Sequence, residues 1–182
     1  RTMTRSVVAL AGAGIAIVLL IFAIESGKPE RSAPDGNAEV AVLGKEEKAK
    51  RYEPAKKIST PDGFINTPPI TIREFVGKEV VLVDFWTYSC INCQRTIPHL
   101  NAWYEKYKNQ GLVIIGVHTP EFGFEQDYEN VAAAVKKFDI KYPVVLDNDY
   151  STWTSYKNRY WPRKYLVDID GFIVYDHIGE GN

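Results

Sequence analysis

The chain has 182 residues, 45% of them hydrophobic and 25% charged, with a net charge of −1. Length and balance describe one globular domain. No basic cluster with interleaved aromatics is present, which argues against a nucleic-acid partner.

In residues 1–24 the only charges are Arg1 and Arg5, and Val7 through Ile24 is an uncharged run. As a helix that run spans about 27 Å at ~1.5 Å per residue, close to the ~30 Å hydrocarbon core of a bilayer. A transmembrane helix over residues 1–24 is therefore expected. A cleaved signal peptide is the rival reading, but no small-x-small cleavage site follows Ile24 before the charges begin. Lys28 and Arg31 follow the run, so flanking charge orients it only weakly. A chain that starts with Arg fits a helix that is the last of several spans. Residues 25–59 are rich in Pro, Gly, Ala and charge, as in Lys45-Glu-Glu-Lys-Ala-Lys-Arg51. They read as a flexible linker to a folded domain over 60–182.

Within that domain Phe64-Ile-Asn is a short extended piece. Ile70–Gly77 reads as a short helix with Thr71 as N-cap and Gly77 as its stop. Val80–Trp86 is a buried strand broken only by Asp84, and an amphipathic helix follows Cys90 with Ile97, Leu100, Trp103, Tyr104 and Tyr107 at helical spacing. It carries Pro98, expected to kink it, and ends near Gly111. Leu112–Val117 is a second buried strand, Tyr128–Phe138 a helix, Pro143–Leu146 a strand and Ser151–Lys157 a helix. Arg163–Val167 and Phe172–Ile178 form a hairpin across Asp170-Gly171. Strands alternating with helices, then a closing hairpin, give an α/β three-layer sandwich with a mixed β-sheet.

The chemistry sits between the first buried strand and its helix, where the only two cysteines form Cys90-Ile-Asn-Cys93. This order puts Cys90 at a helix N-terminus, where unpaired N–H groups and the helix dipole favour an anion. Thiolate, the form that attacks a disulfide, is that anion. A zinc site would need two further ligands, yet there is no third cysteine and His99, His118 and His177 are scattered. Haem attachment would need His at position 94, which is Gln. A bridge closing so short a loop would stabilise little as a purely structural element. The pair is thus read as a redox-active disulfide with no other cofactor, Cys90 attacking and Cys93 resolving the mixed disulfide. Asp84, an acid in an apolar strand, is the candidate to take the Cys93 proton. A dithiol domain behind a membrane helix has most to do on the oxidising side, so the catalytic domain is expected to be extracytoplasmic.

Asp84-Phe-Trp followed by Cys90, and Trp161-Pro162 before the strand Lys164-Tyr-Leu-Val, resemble the thioredoxin-like fold. The tracts Phe85–Cys93, Gly116-Val-His-Thr-Pro-Glu-Phe122, Leu146-Asp-Asn-Asp-Tyr150 and Asn158-Arg-Tyr-Trp-Pro162 resemble TlpA-type membrane-bound thioredoxins. The likeness is strongest to the thioredoxin-like domain of DipZ-type proteins, relatives of DsbD. It covers about residues 60–182. It departs at Ile91-Asn92, where thioredoxin has Gly-Pro, at Thr96, where many TlpA-type reductases have Glu, and in lacking the family's final helix. The resemblance implies reduction of protein disulfides, as in cytochrome c maturation or redox homeostasis. It also implies a membrane electron donor of the DsbD/CcdA type and a cis bond before Pro162. A cis Pro162 would set the Trp161 backbone beside Cys90 for an extended substrate.

Trp86, Tyr88, Tyr160 and Trp161 are candidates for an apolar collar that docks a partner. His118 and Glu121 lie at the end of the second buried strand, on the Cys90 edge if the strands are parallel, and Glu121 is a candidate second acid or partner contact. His99 and His177 read as structural or exposed. The alternative function is a copper-binding accessory protein using both thiolates with His177 or His99, since soft thiolates suit Cu(I). A peroxidase would need a cysteine in a different setting.

Overall fold

The computed structural model describes residues 43–181. The expected membrane helix and the linker up to residue 42 lie outside the described residues. Among the described residues no helix is long and apolar enough to cross a membrane.

The elements in chain order are α1 (Lys45–Arg51), β1 (Gly63–Ile65), β2 (Val80–Trp86), α2 (Ile91–Tyr107), β3 (Leu112–His118), α3 (Tyr128–Lys137), β4 (Val144–Leu146), α4 (Ser151–Ser155), β5 (Arg163–Val167) and β6 (Ile173–Ile178). Six strands form one mixed sheet in the order β1-β4-β3-β2-β5-β6. The pairs β2–β3 and β3–β4 are parallel, whereas β1, β5 and β6 pair antiparallel with their neighbours. The continuous apolar runs are therefore the central strands, buried on both faces.

Side chains alternate across a strand, so β2 feeds two cores at once. Leu82 and Trp86 join Cys93, Ile97 and Leu100 of α2 and Val131 and Val135 of α3 on one face. Val81, Val83 and Phe85 join Tyr156, Tyr165 and Val167 on the other, beneath α4 and the chain before β1. Asp84 shares the parity of Leu82 and Trp86 and so points toward α2. Gly116 stands opposite Asp84 in the register. A Cβ there would meet Trp86 Nε1 at 2.9 Å and Tyr142 at 3.2 Å. Gly116→Ala is accordingly expected to cost about 1–3 kcal/mol through overpacking, read as a lower urea midpoint without loss of fold.

Two sequence expectations change. Residues 45–55, read above as linker, pack on the domain: α1 is held by Lys48 Nζ, 2.6 Å from Asp168 and 2.5 Å from Asp170. The following segment pairs through Ile173 N to Glu53 O (2.8 Å) and Ala55 N to Gly171 O (2.9 Å). The helix expected over 70–77 is a single 3₁₀ turn, Ile72–Glu74, in which the Thr71 hydroxyl binds the Glu74 carboxylate and caps no backbone group. The helix α2 carries Pro98 within it and runs to Tyr107, as its spacing predicts.

Candidate functional site

The C-terminal ends of the parallel strands β2 and β3 lie at one sheet edge. Chain leaving β2 reaches Cys90, the N-cap residue of α2, and the first helical bond runs from Gln94 N to Cys90 O (3.0 Å). The amides of the first turn of α2 thus remain free to face an anion beside the Cys90 sulfur. Both cysteines are thiols; Cys90 is partly exposed and Cys93, one turn in, is wholly buried. Burial pushes the Cys93 thiol far up, with the Thr87 backbone opposing and the neighbouring Cys90 and Asp84 adding to the rise. Cys93 therefore stays protonated until something removes its proton.

Asp84 is 1% exposed, and neither of its carboxylate oxygens accepts a hydrogen bond. Among the described residues its one ionic partner is Lys164, on the neighbouring strand, with Nζ 3.2 Å from Oδ1. Desolvation raises Asp84 to about 6, against the attraction of Lys164. A carboxyl poised there exchanges protons near neutral pH. Lys164 also lines a cavity of about 370 Å³ between α2 and β6, with Thr96, His99 and His177 in its wall. Cys90 is not among its lining residues.

The bond between Trp161 and Pro162 is cis, as the thioredoxin resemblance implies. The Cys90 thiol faces the Trp161 carbonyl at 3.9 Å. Trp161 itself is half-buried, tilted against Trp153 at 4.2 Å and donating from Nε1 to Thr119 O (3.0 Å).

The remaining candidates divide. Tyr88 is partly exposed, stacks on His118 at 5.6 Å and donates to Phe124 O (3.1 Å), and Tyr160 is 50% exposed. Trp86 is 0% exposed and cannot form part of a surface collar, because strand parity turns it into the core with Asp84. Two aromatics that sequence reasoning passed over stand in the open instead: Phe122 and Phe124 stack at 5.5 Å and are 49% and 55% exposed. Glu121 is exposed and offers only its backbone N–H to the site.

A buried acid at this edge, Glu125, was also missed. It is fully buried in a 3₁₀ turn, Gly123–Gln126. Its carboxylate accepts from Ser89 Oγ (2.6 Å), Ser89 N (3.3 Å), Glu121 N (2.5 Å) and Phe122 N (2.9 Å). Burial alone would raise its pKa and keep it protonated, but hydrogen bonds from Ser89, Thr87 and the loop amides outweigh it and hold Glu125 below the usual range. The sequence signal was a Glu three residues after a turn's first residue, reaching back to that residue's N–H. Beside it His118 is wholly enclosed, and burial keeps it neutral by lowering it to about 4.

His99 and His177 stand on the α2–β6 side, and among the described residues no three His, Cys, Asp or Glu side chains converge as a metal site. The arrangement at Cys90 therefore offers an accessible sulfur on a helix N-terminus, a buried second sulfur and a buried carboxyl of raised pKa.

Known proteins are similar to this chain. The AhpC/TSA family model matches residues 52–176. Protein DipZ of Mycobacterium tuberculosis is 54% identical over 123 residues, which cover 66% of this chain and 18% of DipZ. The chain thus spans under a fifth of that relative. Thiol-disulfide oxidoreductase ResA of Bacillus cereus is 33% identical over 111 residues, 61% of each chain. A solved thioredoxin-like protein in its oxidised form has the same fold, with a TM-score of 0.67 at 24% identity over 71% of this chain and 86% of that one.

Proposed function

The chain belongs to the AhpC/TSA family, and from that premise we propose that it is a thiol–disulfide oxidoreductase that reduces protein disulfides through Cys90 and Cys93. The observation that carries this reading is the pairing of a partly exposed sulfur at the N-cap of α2 with a buried one a turn deeper. Cys90 attacks a substrate disulfide; one substrate sulfur leaves with the electron pair of the broken S–S bond, and a mixed disulfide remains. Cys93, losing its proton toward Asp84, attacks Cys90, releases the second substrate sulfur and closes the internal disulfide. The substrate leaves as a dithiol and the protein has given up two electrons. The Trp161 carbonyl beside Cys90 is placed to pair with an extended substrate as an added strand. Pro162 holds that carbonyl in position. Tyr88, Tyr160 and Trp161, with Phe122 and Phe124, supply the apolar contact surface.

The uncharged run 7–24 and the likeness to DipZ support a membrane-tethered protein whose catalytic domain is extracytoplasmic. A membrane donor of the DsbD/CcdA type would return the two electrons. The reading is tested by insulin reduction with dithiothreitol as donor. The wild type should accelerate precipitation of the insulin B chain, and Cys90→Ser should fall to the uncatalysed rate. Full activity in Cys90→Ser would end it.

A further inference from the structure

Glu125 has no part in the exchange steps, yet its buried carboxylate is held by hydrogen bonds directly beside the residue that precedes Cys90. Its donors, the hydroxyls of Ser89 and Thr87 and the amides of Ser89, Glu121 and Phe122, are all neutral. No ion pair among the described residues includes it. A full negative charge is thus enclosed without a cation, an arrangement that costs stability and that neutral side chains could replace. The residue it grips, Ser89, directly precedes Cys90.

We propose that Glu125 is a positioning residue whose uncompensated charge sets the direction of electron flow, biasing the Cys90/Cys93 pair toward giving electrons away. This rests on the oxidoreductase reading and supplies what the Ile91-Asn92 dipeptide leaves open. Oxidation of the pair removes two electrons and two protons and forms one S–S bond. The disulfide is neutral, whereas the reduced pair presents a sulfur that can bear negative charge at the start of α2. The helix N-terminus stabilises that reduced form, and stabilising it makes a dithiol pair an oxidant. A carboxylate held under the same loop opposes the helix field, destabilises only the reduced form and makes the pair the stronger reductant. Hydrogen bonds to two backbone stretches, Ser89 and Glu121–Phe122, fix the charge so that it does not turn away when a thiolate forms.

The test is the dithiol–disulfide equilibrium of the full chain in glutathione buffers at pH 7. Glu125→Gln should shift it toward the dithiol by at least about tenfold, about 30 mV for a two-electron couple, while Glu125→Asp, which keeps the charge, should stay within about threefold of wild type. An unchanged equilibrium in Glu125→Gln would overturn the proposal. So would an equal shift in Glu125→Asp, since hydrogen-bond geometry and not charge would then be responsible. Should Glu125→Gln lose its cooperative thermal unfolding, the wild type still decides. Its reduced form should react faster with the cationic disulfide cystamine than with the anionic dithiodiglycolate, by about fivefold at low ionic strength. Equal rates or the reverse order would overturn it. A wild-type pair that never forms a disulfide in these buffers would instead sink the oxidoreductase reading, and this inference with it.

Discussion

Cys93→Ser is expected to turn a catalyst into a protein that stops after one attack. Cys90 keeps its N-cap position and partial exposure, so formation of the mixed disulfide should proceed near the wild-type rate. Its release should fail, because no second sulfur stands one helical turn behind Cys90. Turnover with insulin should drop to background, and non-reducing gels should show a covalent adduct approaching one equivalent. Peptide mapping should place that adduct on Cys90. Ser is close in size to Cys, and the site is wholly enclosed, so the fold should hold. Undiminished turnover in Cys93→Ser would show that resolution does not need the buried sulfur.

Asp84→Asn is expected to act on rate and stability in opposite directions. Removing the carboxyl buried with Cys93 in the α2-facing core should slow the resolving step at pH 7 on the order of 100-fold, the usual scale for a lost general base. Stability should move the other way. The folded-state value of about 6 lies above the ordinary 3.8, so the native state holds this proton more firmly than the unfolded chain. Its contribution is complete below pH 4 and is lost as pH rises through about 6. That difference in proton affinity corresponds to roughly 3 kcal/mol. Asn resembles the protonated acid, so the variant should match wild type at pH 4 and exceed it by up to that amount at pH 8. His118 runs the other way: its folded value of about 4 lies below 6.5, so its contribution is present above pH 6.5 and lost as pH falls through about 4. In wild type the two dependences oppose one another between pH 4 and 6.5. Asp84→Asn should therefore unmask a rise in stability across that window, measured by urea denaturation at stepped pH. A variant less stable than wild type at pH 8 would contradict the assignment.

The central strands, α2 and the pair at its start were legible because they depend on local pattern: β-branched runs, helical spacing and a Cys-x-x-Cys between them. What escaped depends on distant partners. The composition of Lys45–Arg51 is that of a solvated linker, and only Asp168 and Asp170, more than a hundred residues on, dock it through Lys48. Trp86 was within reach of sequence logic, because a strand that turns Asp84 inward turns the residue two positions later inward as well. Glu121 and Glu125 were indistinguishable by type. The turn that buries one and exposes the other is set by four hydrogen bonds to Ser89 and the loop amides, and two of those come from the far side of the cleft.

Order of alkylation tests the division of labour between the two sulfurs most directly. Reduced protein treated with less than one equivalent of iodoacetamide, then mapped by peptide mass, should carry its adduct on Cys90 and leave Cys93 unmodified. Equal labelling of both cysteines, or preferential labelling of Cys93, would contradict the assignment of attack to the sulfur at the start of α2.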